Sequence, residues 1–159
     1  EEQECQITTE AHALASQWIQ MDYRRVQNHG GTPTMDRDGM IETPLPDFLA
    51  DLSSLLVKRR IFPSDTPPNH CLLNEYDPGM GIAPHMDGPR YLAGTGAAIL
   101  SLNSYALIKF SRRDPASGSL QLIGSVLLEP RSLIHFSGDA FTTVLHAIDS
   151  VREEVVNER

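Results

Sequence analysis

The residues of this 159-residue chain whose types and spacing best suit chemistry are His85-Met86-Asp87 and a distant His146. In a strand, residues two apart point to the same side, so His85 and Asp87 present an imidazole and a carboxylate to one point in space. A facing strand carrying His146 adds a third donor. Two imidazoles and one carboxylate on one face of an octahedron leave the opposite positions open, the arrangement that lets Fe(II) take up a co-substrate and oxygen together. His-x-Asp is a short pattern, and a histidine in the core or on the surface is the commoner case. His12, His29, His70 and His135 compete for ligand roles. His135 competes most strongly because its stretch is apolar, and it reads equally well as a packed histidine with one hydrogen bond.

The elements that must position these groups follow from periodicity. Residues 10–19 suggest a helix whose alanines, Leu14 and Trp18 form an apolar side. Residues 24–31 read as a polar stretch ending in a glycine turn, and residues 32–46, with Pro33, Pro44 and Pro46, as loop or extended arm. Pro46-Asp47 opens a clear helix, with Phe48, Leu49, Leu52, Leu55 and Leu56 at helical spacing and Lys58-Arg59-Arg60 at its carboxyl end. Pro63, Pro67 and Pro68 stop it. From His70 onward come short runs between turns: 71–76, 82–87, 97–102, 105–110, 120–128, 132–136 and 142–148. The pair 97–102 and 105–110, joined at Asn103-Ser104, reads as a two-residue hairpin. Seven short strands predict a mainly β fold, an antiparallel sandwich or barrel with flanking helices packed outside.

Composition narrows the class. With 13 Lys and Arg against 21 Asp and Glu, the net charge of −8 argues against a general nucleic-acid binder, while leaving room for a local basic patch. No apolar run approaches the roughly 18 residues of a membrane span, and the acidic start is the wrong charge for a signal peptide. Cys5 and Cys71 are too few for a disulfide framework or a cysteine zinc cluster, so a reducing compartment, cytoplasm and nucleus, is expected. The chain opens without Met and closes on Arg159 directly after a charged run, and reads as an excerpt of a longer protein.

Several segments together resemble the AlkB-like branch of the Fe(II)/2-oxoglutarate-dependent dioxygenases. They are Arg25-Val26-Gln27-Asn28-His29-Gly30-Gly31, Asn69-His70-Cys71-Leu72-Leu73-Asn74-Glu75-Tyr76, and Gly81-Ile82-Ala83-Pro84-His85-Met86-Asp87-Gly88-Pro89. Leu127-Leu128-Glu129-Pro130-Arg131-Ser132-Leu133 and Leu145-His146-Ala147-Ile148 follow in the same order. The resemblance implies one domain over residues 1–159, with an N-terminal helical and lid region to residue 68. From residue 69 it implies a double-stranded β-helix, or jelly roll, truncated at both ends. It also implies His85, Asp87 and His146 as ligands of Fe(II), and Asn74 and Tyr76 as side chains that hydrogen-bond 2-oxoglutarate. A strand after the last histidine would clamp the co-substrate carboxylates with arginines. Residues 149–159 depart from that pattern: Arg159 stands either as its first arginine or as the end of a solvated charged face, and the second arginine lies outside the sequence.

The implied reaction consumes O2 and 2-oxoglutarate and hydroxylates a substrate C–H bond; an N-methyl group so hydroxylated leaves as formaldehyde. Methylated nucleic acid is the implied partner, and no membrane is. Enzymes acting on a base hold it on aromatic faces beside a basic path. Arg25, Asn28, Arg90 and Tyr91 are the candidate substrate region, with Arg24, Lys109, Arg112, Arg113 and Tyr105 along a wider path. Each also has a plainer reading, Arg112-Arg113 as a charged hairpin tip and Arg24-Arg25 as an exposed helix-to-loop segment. A non-catalytic AlkB-like module acting through partners, a hydroxylase or demethylase of protein side chains, and a structural zinc site on the same three residues remain as alternatives.

Overall fold

A computed structural model describes residues 1–34, 39–87 and 96–153. Helix α1 spans Glu2–Ala13, and a 3-10 turn at Ala15–Gln17 leads into β1 (Ile19–Met21), β2 (Arg24–His29), β3 (Gly31–Pro33) and β4 (Met40–Glu42). Helix α2 (Asp47–Lys58) precedes β5 (Cys71–Glu75), β6 (Ile82–His85), β7 (Ala97–Leu100), β8 (Ala106–Arg113), β9 (Leu120–Leu128) and β10 (Leu133–Phe136). A short α3 (Asp139–Thr142) and β11 (Leu145–Ile148) complete the order. No helix among the described residues is long and apolar enough to cross a membrane.

One sheet runs β6-β11-β8-β9, entirely antiparallel. Facing it is the pair β10-β7: Phe136 of β10 stacks near-perpendicular to Phe110 of β8 at 5.8 Å and tilts against the His146 ring at 5.3 Å. A third sheet, β1-β2-β5, carries the helices on its back. His29 of β2 meets Phe48 of α2 edge-on, and the Gln27 amide donates to the Ala11 and Leu14 carbonyls at the end of α1. The expected mainly β jelly roll with helices outside is the architecture found, and the strand at Leu120–Leu128 falls where the sequence places it.

The elements differ from expectation where long-range partners intervene. The first helix starts near the terminus, not at residue 10; Glu2 and Glu4 suit its amino end, and it stops when Gln27 takes the carbonyls that a further turn would use. Residues 24–29 form a strand, because β1 and β5 satisfy its backbone on both edges and Gln27 and His29 find buried partners for their polar tips. The N-terminal region therefore holds four strands besides its helices. Helix α2 ends before the prolines, in a left-handed Arg60 (φ 60°) with Arg60 N–H bonded to Val57 O and Ile61 N–H to Leu56 O, the Schellman pattern.

The hairpin expected across Asn103-Ser104 does not form. Strand β7 pairs with β10, β8 pairs with β9 and β11, and the chain crosses there from one sheet to the other. Asn103 does turn left-handed (φ 68°), but its N–H is taken by Glu4 of α1 at 2.7 Å rather than by a strand partner. The true hairpin is β8 to β9, whose tip is held by Asp114 accepting from the N–H groups of Ala116 and Ser117.

Candidate metal centre

His146 lies in β11, between β6 and β8 in the ladder, and is only 9% exposed. Its backbone partner in β6 is His85. The two imidazoles stand on one side of the ladder with ring centroids 4.3 Å apart. The register slips between this pair and Ile148↔Ile82, so that β6 spends one residue more than β11 over the interval. Pro84, which has no N–H to give a ladder, falls within that interval.

Asp87 follows two residues beyond the end of β6, so the third donor comes from the segment after the strand and not from the strand itself. One ligand atom from each of His85, Asp87 and His146 nevertheless lies within 4.8 Å of the others. The His85 Nδ1–H donates to the Ala83 carbonyl at 2.9 Å, which fixes the tautomer and leaves Nε2 free to ligate. Burial, and then the neighbouring His85, hold the His146 imidazole below its ordinary pKa, against a smaller opposing pull from Asp87; a neutral ring is the form that binds metal. Phe110 and Phe136 flank it.

Three donors of this kind fit Fe(II) with open positions. A closed structural zinc site takes four, and among the described residues this cluster has three. The other histidines resolve differently. His135 is exposed, meets Phe62 edge-on at 5.0 Å and lies outside the cluster, so the packed-core reading does not hold. His12 pairs with Glu75 at 2.8 Å, and His29 is held by Gln27. His70 is half-buried and feels Asp87, a proximity that spacing could not reveal.

Asn74 stands opposite Val26 in the β2–β5 ladder and is exposed, with only a long 3.4 Å bond to the Leu72 carbonyl. Tyr76 lies one residue past β5; burial pushes its phenol pKa up, partly offset by the Arg24 guanidinium, so it stays a neutral donor. Asn28, opposite Leu72, shares the Val26 side of β2 by alternation. It also borders a cleft of about 420 Å³ with Leu14, Gln17, His29 and residues 43–46, a cleft that none of the three ligands lines.

Arg25 points the other way. It pairs with Glu75 at 2.6 Å and covers the Trp18 ring at 4.6 Å, on the helix side of the sheet, so the structure does not bring it to Asn28 and Asn74. Of the wider basic path, Lys109 is paired with Asp149, Arg112 stands 4.0 Å from Asp139, and Arg113 donates to Gly118 O at the hairpin tip. Arg90, Tyr91 and Arg159 lie outside the described residues.

Residues 4–159 match the 2OG-Fe(II) oxygenase superfamily. The chain is 34% identical over 148 residues to "Probable RNA/DNA demethylase ALKBH6" of Danio rerio, covering 89% of this chain and 61% of that protein. It is 29% identical over 141 residues to "tRNA (carboxymethyluridine(34)-5-O)-methyltransferase alkbh8" of Xenopus tropicalis, covering 86% of this chain and 21% of that protein. The chain thus spans less than two thirds of the length of these relatives. The solved structure of OsALKBH1 shares its fold, with a TM-score of 0.59 at 15% identity over 84% of this chain and 72% of that one. By the span of the family match, the chain belongs to the 2OG-Fe(II) oxygenase superfamily, whose members take Fe(II), 2-oxoglutarate and O2.

Proposed function

We propose that this chain is the iron- and 2-oxoglutarate-binding domain of an oxidative demethylase of nucleic acid. The observation that carries the reading is the convergence of His85, Asp87 and His146 within 4.8 Å. When bound, Fe(II) with 2-oxoglutarate and O2 supplies a two-electron oxidation that yields succinate, CO2 and a hydroxylated substrate carbon.

The chain's own residues set the conditions. His85 presents Nε2 because Ala83 holds Nδ1, His146 is kept neutral by burial, and Asp87 supplies the anionic donor. Phe110 and Phe136 exclude water from one side of His146. The Asn74 amide and the Tyr76 phenol are donors suited to the keto-acid carboxylates. On an N-methylated base the hydroxymethyl product loses formaldehyde and restores N–H. Nucleic acid is favoured by the two animal relatives, a probable RNA/DNA demethylase and a tRNA methyltransferase. Arg25 and Lys109 are engaged with carboxylates and so offer no free cation to a phosphate path, and a protein side chain as substrate is the second reading. Cytoplasm and nucleus are the proposed compartments, on the two free cysteines.

The test uses the full-length protein. Anaerobic Fe(II) and 2-oxoglutarate should give the visible charge-transfer band of a chelated keto acid, lost in His146→Ala. Succinate and formaldehyde should then form with N-methylated oligonucleotides and not with methylated peptides. The opposite substrate pattern would replace nucleic acid by protein, and no band at all would overturn the dioxygenase reading.

A further inference from the structure

We propose that β9 is a pairing edge for a second copy of this chain, the two strands running antiparallel about a two-fold axis at Gly124. Strand β9 is the longest among the described residues and lies at the rim of the sheet β6-β11-β8-β9. Strand β8 takes the hydrogen bonds of one edge from Leu120 to Leu128, and no described strand takes those of the other. An open edge of this length is a template for pairing, which proteins ordinarily blunt with charge, proline or a covering element. Here residues 115–128 include no charged side chain, and the strand itself includes no proline. Leu120, Leu122, Ile123 and Val126 are instead exposed, Leu122 by 61% and Ile123 by 57%.

Charge and shape select a second copy as the occupant. The chain carries a net −8, so two copies repel over most of their surfaces, whereas β9 set against itself brings no like charges together. The ends of the strand then fix the direction. Arg112 and Arg113 are exposed beside Gln121 and Leu120 at one end, where Asp114 is turned into the hairpin tip, and Glu129 is exposed just past the other. Antiparallel pairing brings the basic end of each copy to the partner's Glu129; parallel pairing would set Glu129 beside Glu129. The ladder slips between Phe110 and Ser111, which makes Ile123 the extra residue of a bulge, and Gly124 next to it has nothing within 4 Å of an added Cβ. A bulge that carried a charge would close the edge, but this one carries isoleucine. About an axis at Gly124, Ile123 of each copy meets the partner at Gly124-Ser125, a projecting side chain against a gap, twice over.

Such a pair closes on itself. The opposite rim of the sheet is β6, four residues long with Pro84 among them, a poor template for a third copy. His85 and His146 lie on β6 and β11, with β8 between them and β9, so pairing at the rim leaves the metal centre in place.

The test is sedimentation equilibrium of the full-length protein from about 1 to 100 μM. The mass should rise to that of two chains and stop there. Leu122→Lys combined with Ile123→Lys sets like charges across the pair, so the dissociation constant should rise about tenfold or more. Both side chains are exposed, so the variant should keep the wild-type Tm at dilute protein and the same charge-transfer band with Fe(II) and 2-oxoglutarate. If it folds poorly, Gly124→Cys in a Cys5→Ser background serves. A residue opposite itself in an antiparallel pair has its two Cα atoms about 4.5–5.5 Å apart, within disulfide reach, so mild oxidation should join two chains. Ser117→Cys, at the hairpin tip and away from the axis, should not. A monomer throughout the range overturns the proposal, as does a dimer that the lysines leave intact or that Gly124→Cys does not join. A mass that climbs past two chains overturns the closed pair.

Discussion

Gly81→Ala tests whether the metal centre is built by the β6–β11 ladder. Gly81 immediately precedes β6, and a Cβ there would stand 2.3 Å from Ile148 O, 2.9 Å from Asp149 C and 2.9 Å from Ser150 N. All three neighbours are backbone, so no side chain can swing aside. To reach an ordinary 3.4 Å contact, one chain must retreat from the other by about 1 Å. Ile148 is paired with Ile82, and three residues further along β6 lies His85 opposite His146, so the displacement enters the pairing that sets the two imidazoles. Forced overpacking of this kind costs roughly 1–3 kcal/mol. For a domain of this size that lowers Tm by roughly 3–10 °C. Disturbing the groups that orient metal ligands costs about 10–100-fold in metal affinity. Thermal unfolding of the metal-free protein and Co(II) titration read the two effects separately. Gly124→Ala is the control: it lies in the outer strand β9 with nothing within 4 Å of its added Cβ, and should be neutral or stabilising by up to about 1 kcal/mol. If Gly81→Ala matches wild type in both Tm and Co(II) affinity, the ladder does not position the ligands and the reasoning fails.

Gln27→Leu removes donors from the Ala11 and Leu14 carbonyls and leaves the buried His29 N–H without its acceptor, so urea unfolding should show a loss of about 2–4 kcal/mol; a loss under about 0.5 kcal/mol would contradict the network. Burial pushes the Cys71 thiol pKa up to about 11 while Cys5 is exposed, so alkylation of the native protein at mildly basic pH should add one adduct by mass spectrometry, and two after denaturation. Burial holds His29 and His70 below the ordinary 6.5, so between their folded and unfolded pKa values the unfolded chain binds more protons. Their contribution to stability is present above about pH 6.5 and lost as pH falls below it, so Tm of the metal-free protein should drop on acidification toward pH 5; a flat or rising Tm there would refute the sign.

What was legible in the sequence is what local chemistry decides. Helix α2 has a clear helical periodicity and strand β9 is a run rich in β-forming apolar residues, and both fall at the expected places. The three candidate donors were readable because imidazoles and carboxylates are chemically distinct, and the structure brings them together. What escaped depends on partners far along the chain. Residues 24–29 look too polar for a buried strand until Ala11 and Leu14, 16 and 13 residues away from Gln27, supply acceptors. The 97–102 and 105–110 runs look like a hairpin because a turn residue separates them, yet the Asn103 N–H is claimed by Glu4, 99 residues away in sequence. Arg24 and Arg25 are indistinguishable as letters. Their roles part only when the register fixes which face meets the helices.

The β6–β11 register shows how narrowly the site depends on such detail. Ile82 and His85 are three apart and would face opposite sides of a regular strand, whereas Ile148 and His146 are two apart and face the same side. Without the extra residue, a ladder starting from Ile148↔Ile82 would place Pro84 opposite His146 and turn His85 away. The bulge absorbs the odd residue where Pro84 could not have donated to the ladder anyway, and it aims His85 at His146. Two of the three donors are thereby held by backbone pairing, before any metal arrives. Asp87 comes from beyond the ladder, within reach of the same point but not fixed by the pairing. The two imidazoles and the carboxylate therefore owe their convergence to different causes: the histidines to an irregularity in strand pairing, and Asp87 to the path of the chain after β6.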